Sequence, residues 1–322
     1  MLGKTNFFMP VKKTVTKPPI IVLTPTKAKP VPKPVSNPVP NPVSNPVPKP
    51  VSNPVPKPVP KPVPKPVPKP VPIAPIVPIV SNANPQIHVL LIEADNTRSL
   101  GGSCLRDVVN FDYYTNEFSK QSSIKRGQTV VLSIDNDAKI QSKFTTKNIV
   151  FDKLNNYKTA FTTFTNNVLP NDYVIILISG HGYQTTSKTS EETDRLDEYI
   201  AYNGGTILDN EINTLLVSKL GKTKRSVCLG DTCHSGTLFD IGITNITSSV
   251  VYSLSACLDN QLASCDIGYN AGFGGALTVQ LLDIQNSIKT LLLGNKDEIN
   301  NIVSKLSLKL QLLNQKPLLC GI

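Results

Sequence analysis

Two short runs in this 322-residue sequence carry side chains fit for covalent chemistry. In one, Ser226-Val227-Cys228-Leu229-Gly230 leads into Asp231-Thr232-Cys233-His234-Ser235-Gly236, so a cysteine among small turn residues directly follows an apolar run. In the other, Tyr173-Val174-Ile175-Ile176-Leu177-Ile178 leads into Ser179-Gly180-His181-Gly182. Each apolar run reads as a buried strand. In an open parallel sheet, sites form in the crevice outside the carboxyl ends of the strands, so Cys233 and His181 are expected to face each other there. A thiol near its free pKa of about 8.5 is little ionised at neutral pH, and a neighbouring imidazolium lowers that value. The chemistry is then attack by Cys233 on a carbonyl, with His181 protonating the leaving group. The other two histidines receive no role: His88 opens a strand, and His234 adjoins the nucleophile and should point away from it. Cys228, Cys257, Cys265 and Cys320 read as small hydrophobes.

The elements that must position this pair alternate along the chain. Strands are expected at His88-Val89-Leu90-Leu91-Ile92, at Thr129-Val130-Val131-Leu132-Ser133-Ile134, at the two runs above, at Ser249-Val250-Val251-Tyr252-Ser253-Leu254 and at Leu318-Leu319-Cys320. Helices are expected from about Cys104 and over 155–168, 207–220, 276–293 and 298–313. Alternation of this kind argues for a parallel or mostly parallel sheet flanked by helices.

Composition divides the chain at residue 86. Residues 1–86 hold 26 of the 28 prolines and 12 lysines but no acidic residue, leaving 21 basic against 23 acidic side chains for 87–322. The formal charge of +10 therefore belongs to the tail. From 29 to 72 it repeats in steps of four as (Lys/Asn)-Pro-Val-(Pro/Ser), a composition that cannot form a core and should populate solvated polyproline II. Its reading is a disordered spacer. The only PxxP form flanked by a basic residue, Lys69-Pro70-Val71-Pro72-Ile73-Ala74-Pro75, is where a weak partner of the tail would bind. No zinc-finger spacing, basic helix or aromatic platform points to nucleic acid. No apolar run is long enough for a membrane span, and Met1-Leu2-Gly3-Lys4 leads into no signal region. Six cysteines without a CxxC pair or a disulfide-like cadence fit a reducing, cytoplasmic setting.

Taken in order, further blocks resemble the metacaspases, caspase-like cysteine peptidases, in particular the type I members with a proline-rich prodomain. These blocks are Leu100-Gly101-Gly102-Ser103-Cys104-Leu105-Arg106-Asp107-Val108, the two reactive runs, Leu196-Asp197-Glu198-Tyr199-Ile200, Ile207-Leu208-Asp209-Asn210-Glu211, Ser255-Ala256-Cys257-Leu258-Asp259-Asn260-Gln261, Gly274-Gly275-Ala276-Leu277-Thr278 and Gln315-Lys316-Pro317. The resemblance implies a caspase-like three-layer α/β sandwich over 87–322, with a large-subunit-like part at 87–247 and a small-subunit-like part at 248–322. It also implies a cysteine endopeptidase with His181 and Cys233 as the dyad and the N–H groups of Gly182 and Cys233 as the oxyanion hole. No third member of the dyad is visible in the sequence, and the family requires none. Two departures stand out: Glu93-Ala94-Asp95 after the first strand, and Tyr183 after His-Gly.

The same resemblance assigns the pocket for P1, the residue before the cut, to Cys104, Asp107, Ser179 and Asp231. With acids and no arginine there, protein or peptide substrates cut after Arg or Lys are expected. Calcium ligands fall on Asp197, Asp209, Asn210 and Asp240, where the amide of Asn210 gives up one charge; no organic cofactor is expected. Two other readings stand beside this one: a catalytically silent caspase-like binding module, and a scaffold working through the proline-rich tail. Between 226 and 288 there is neither Lys nor Arg, so self-cleavage after a basic residue is not expected in that stretch.

Overall fold

The computed structural model describes residues 84–321 except 136, 145, 189–194, 242–250, 266, 270 and 271. The expected prodomain lies outside the described residues up to residue 83. The elements in chain order are β1 (Gln86–Ala94), α1 (Ser103–Gln121), β2 (Lys125–Ser133), α2 (Ala138–Gln141), β3 (Ile149–Lys153), α3 (Tyr157–Asn167), β4 (Tyr173–Gly180), β5 (Gly182–Thr186), β6 (Leu196–Tyr202), β7 (Gly205–Leu208), α4 (Asp209–Leu215), β8 (Arg225–Asp231), β9 (Val251–Ser255), β10 (Ile267–Tyr269), β11 (Gly272–Gly274), α5 (Ala276–Leu282), α6 (Ser287–Leu293), α7 (Lys296–Gln311) and β12 (Leu318–Cys320).

Seven strands form one sheet in the order β12-β9-β8-β4-β1-β2-β3, parallel except for β12, which runs antiparallel to β9. Strands that are apolar at every position, such as Val174 to Ile178, follow from a sheet covered on both faces. Alternate residues of β1 divide between two cores. Ile87, Val89 and Leu91 join the cluster containing Val108, Phe111, Leu277, Leu291 and Leu306 from α1, α5, α6 and α7. Leu90 and Ile92 join Phe161, Phe164 and Ile212 from α3 and α4 on the other face. The result is the expected three-layer, caspase-like sandwich with a mostly parallel sheet. Among the described residues no helix is long and apolar enough to cross a membrane.

Two expectations differ in detail. The span 276–293 is two helices, broken where Asn286 takes a left-handed φ of 60°. The span 207–220 divides into the end of β7, α4 and a 3-10 turn at Val217–Lys222. Strand β7 exists because Asn203-Gly204, with Gly204 at φ 118°, makes a two-residue turn closing the β6–β7 hairpin. With β5 this hairpin forms a separate antiparallel sheet that carries the chain directly out of His181-Gly182.

Candidate active site

The sheet register aligns three strand ends. The β1–β4 ladder runs out at Ala94 opposite Gly180, and the β4–β8 ladder at Ser179 opposite Asp231. Counting on, Asp95 follows β1, His181 follows β4 and Cys233 follows β8, on neighbouring strands spaced about 4.8 Å apart. Because β2 and β3 lie to one side of β1 while β8 and β9 lie beyond β4, the chain reverses its winding between β1 and β4. That is the switch point where α/β sheets open a crevice. His181 and Cys233, together with Cys104, Ser179 and Asp231, line one small cavity of about 30 Å3 there.

The thiol is half-buried and held by the segment that follows β9. The Ala263 N–H donates to Cys233 Sγ at 3.3 Å. Burial pushes the thiol pKa up; the Ala263 contact opposes this and the Asp231 charge adds to it. Cys233 is thus a thiol that needs a base rather than a standing thiolate. His181 lines the same cavity, and its Nε2 lies 2.9 Å from Thr97 Oγ1, 2.9 Å from Ser99 Oγ and 3.5 Å from Asp95 Oδ1. His234 takes no part: its Nδ1 lies 2.5 Å from the Asp259 carbonyl oxygen. Cys257 is buried behind the nucleophile with its thiol directed to the Thr232 carbonyl.

Gly182 admits no side chain. A Cβ there would come within 1.9 Å of the Cys233 carbonyl oxygen, so the backbones of the two residues expected to form the oxyanion hole touch only because this residue is glycine.

The four residues expected to read P1 come together as well. Cys104, Asp107, Ser179 and Asp231 are all buried. Ser179 Oγ donates to Asp107 Oδ2 at 2.6 Å, and the Gly275 N–H donates to both Asp107 oxygens at 2.9 Å. Asp231 accepts from the N–H groups of Thr278 at 2.7 Å and Leu277 at 3.4 Å, the first turn of α5. Gly275 separates the two acids, and a Cβ on it would sit 2.4 Å from Asp231 Oδ2 and 2.9 Å from Asp107 Oδ2. Burial pushes both carboxyls up, and the charge of Asp231 adds to the rise at Asp107. Burial likewise pushes the Cys104 thiol up, which makes it a wall rather than a second nucleophile.

Comparison with known proteins finds a family similarity over part of the chain. Residues 89–242, which contain both His181 and Cys233, match the family model of the metacaspase peptidase C14 domain. Over this stretch, just under half of the chain, the sequence is metacaspase-like. Metacaspase-1B of Aspergillus terreus is 30% identical over 154 residues, 46% of this chain and 37% of that protein. Metacaspase-1 of Debaryomyces hansenii is 27% identical over 233 residues, 68% of this chain and 49% of the relative, and Metacaspase-1 of Saccharomyces cerevisiae is 31% identical over 126 residues, 37% and 29%. The chain thus spans half or less of the length of these relatives.

The four expected calcium positions lie close together. Asn210 Nδ2 lies 3.4 Å from Asp197 Oδ1. Asp209 already accepts an N–H on each oxygen, from Glu198 and from Asn210, both at 2.6 Å. Burial, and then the charge of Asp240, push the Asp209 carboxyl up to about 8. Among the described residues no three His, Cys, Asp or Glu side chains converge as a metal-holding group. Calcium takes several oxygen ligands, and Asp197, Asp209, Asn210 and Asp240 are the residues that would supply them.

Sequence reasoning did not give a role to Asp95, Thr97, Ser99, Gly275 or Ala263. Asp95 carried a signal, being a carboxylate at a strand end beside the switch point. The others are ordinary residues whose roles depend on contacts far along the chain.

Proposed function

We propose that this chain is a cysteine endopeptidase that cuts peptide bonds after Arg or Lys through Cys233 and His181. The family is one of cysteine-type peptidases, and protein substrates follow from that class. The observation that carries the finer reading is the buried pair Asp107 and Asp231, whose hydrogen-bond donors are all neutral. A guanidinium or ammonium entering between them would give both acids a counter-charge in a site shielded from water.

In the proposed reaction His181 takes the Cys233 proton and Sγ attacks the scissile carbonyl carbon. The oxygen that becomes negative is met by the N–H groups of Gly182 and Cys233. His181 then gives the proton to the leaving amine as the C–N bond breaks, and water, deprotonated by His181, releases the acyl group from sulfur. The cavity has room for water but not for a lysine stem. Substrate entry therefore needs the segment held by Ala263 on Cys233, and by Ser264 N–H on Gln315 Oε1 at 2.9 Å, to yield. No step runs through calcium. Six free cysteines, the nucleophile included, favour a reducing, cytoplasmic location.

The test is a P1 scan with fluorogenic peptides on the wild type and on Cys233→Ala and His181→Ala. Hydrolysis confined to Arg and Lys peptides and absent from both variants is expected. A preference for Asp at P1 would remove the acidic-pocket reading, wild-type turnover by Cys233→Ala would remove Cys233 as nucleophile, and no hydrolysis by the wild type would leave the silent-module and scaffold readings.

A further inference from the structure

We propose that Asp95 is a positioning residue that extends the Cys233/His181 pair into a three-part relay, bridged by the hydroxyls of Thr97 and Ser99. This rests on the peptidase reading above and adds a residue to which sequence reasoning assigns no role.

Three observations carry it. The first is placement. Asp95 follows β1 at the register position next to His181, as Cys233 does from the other side, so the fold presents carboxylate, imidazole and thiol from three adjacent strands. The second is burial. Asp95 is 2% exposed, with Oδ1 3.5 Å from His181 Nε2 and 3.5 Å from Thr97 Oγ1. The nearby arginine, Arg98, is instead paired with Glu93 at 3.6 Å and with Asp135.

The third is the direction in which protons can point. Thr97 Oγ1 and Ser99 Oγ both lie 2.9 Å from Nε2 and 2.7 Å from each other, but a hydroxyl either donates or accepts and cannot decide which ring nitrogen holds the proton. A carboxylate only accepts. Thr97 therefore gives its proton to Asp95 and accepts from Nε2–H, which leaves the Nδ1 lone pair for the Cys233 proton. When Nδ1 takes that proton, the positive charge on the ring develops beside the Asp95 carboxylate, and the proton leaves again from Nδ1 to the departing amine. Asp95 is not itself protonated at any step.

A purely local role would account for less. Asp95 Oδ2 accepts the Leu100 N–H at 3.1 Å and so shapes the loop, and an asparagine oxygen would accept that bond equally well. Glu93 braces the same loop through Ser133 Oγ at 2.6 Å and the N–H groups of Ile134 and Asp95 at 3.1 and 3.3 Å. The loop keeps its fastenings when Asp95 loses only its charge.

The experiment is Asp95→Asn in the full chain, with Cys233→Ala alongside. The expected result is a fall in kcat of about 10²-fold or more with KM unchanged, as for asparagine in place of a His-orienting aspartate, and partial recovery in Asp95→Glu. The spectroscopic readout is the His181 tautomer by ring 15N shifts, tractable with three histidines in the chain; the wild type is expected to be protonated at Nε2 and Asp95→Asn mixed. Thr97→Val combined with Ser99→Ala, which cuts the bridge and keeps the carboxylate, should lower kcat in the same way. If Asp95→Asn keeps wild-type kcat and tautomer while Cys233→Ala is inactive, the positioning role is wrong and the peptidase reading survives. Turnover by Cys233→Ala would remove both.

Discussion

Two pairs of buried acids at opposite ends of the sheet, Asp112 with Asp172 and Asp107 with Asp231, are satisfied in different ways. Near the amino ends of the strands, Asp112 pairs with Arg126 at 2.7 Å and accepts from Thr146 at 2.8 Å, while Asp172 holds His88 Nε2 at 3.0 Å. At the carboxyl ends, Asp107 and Asp231 are as deeply buried, yet among the described residues no ion pair reaches either. Burying a charge is costly unless it is paired; Asp112 has a counter-charge bonded to it in Arg126, and Asp107 and Asp231 do not. The domain keeps one set of acids for its own stability. It leaves the other set short of a cation, at the place where a substrate side chain would supply one.

The sharpest way to break this contrast is Asp231→Ala. It should lower kcat/KM for Arg and Lys peptides by about 10²-fold or more, since losing one partner of a buried ion pair costs about 3–5 kcal/mol. An equal loss for peptides with a neutral P1 would show that Asp231 matters only as the cap of α5. At the other end, Asp112→Asn should destabilise the fold by about 3–5 kcal/mol by stranding Arg126, which is 10% exposed, with little change in kcat/KM of the folded protein. Denaturant melts and active-site titration would separate the two effects.

Asp107→Asn should do the reverse. The folded Asp107 holds its proton to higher pH than the unfolded chain, whose carboxyl has the ordinary value of 3.8. Its contribution to stability is therefore greatest at low pH and declines as pH rises from about 4 through the raised folded value. Asparagine removes that decline, so the variant's Tm should match or exceed the wild type at pH 8 while cleavage after Arg falls. A lower Tm at every pH would mean that the ionised carboxylate stabilises the free protein. The same carboxyls predict that KM for Arg peptides worsens as pH drops through their raised values, an effect absent for a neutral P1. The smallest effect is expected from calcium: with an amide at Asn210, half-activation should need more calcium than a fully acidic cluster would, and Asn210→Asp should lower the half-activating concentration. Full activity in excess chelator, unchanged by Asn210→Asp, would show that the cluster is not a regulatory site.

The strand-end pair was legible because it rests on local signals. Continuous apolar runs mark strands buried on both faces, and the Ser-Gly-His-Gly and Asp-Thr-Cys-His-Ser-Gly runs mark the turns at their carboxyl ends. The break at Asn286 was hidden, because a left-handed residue inside an apolar, helix-like run leaves no change of period. The β6–β7 hairpin was announced by Asn203-Gly204, but the short apolar run after it reads equally as helix or strand.

What the sequence by itself determined is the alternation of elements, the charge division at residue 86 and the identity of the groups able to do chemistry. Those depend on composition and on residues within one turn or strand of each other. Only the tertiary structure decided which groups meet. Asp95 reaches His181 across a long stretch of chain because β1 and β4 pair in one register, and a slip of one residue would turn each side chain to the other face. Gly275 stands between Asp107 and Asp231 because α5 directs its first N–H groups at the end of β8. Register and helix placement are properties of the whole packed core, and no window of sequence contains them.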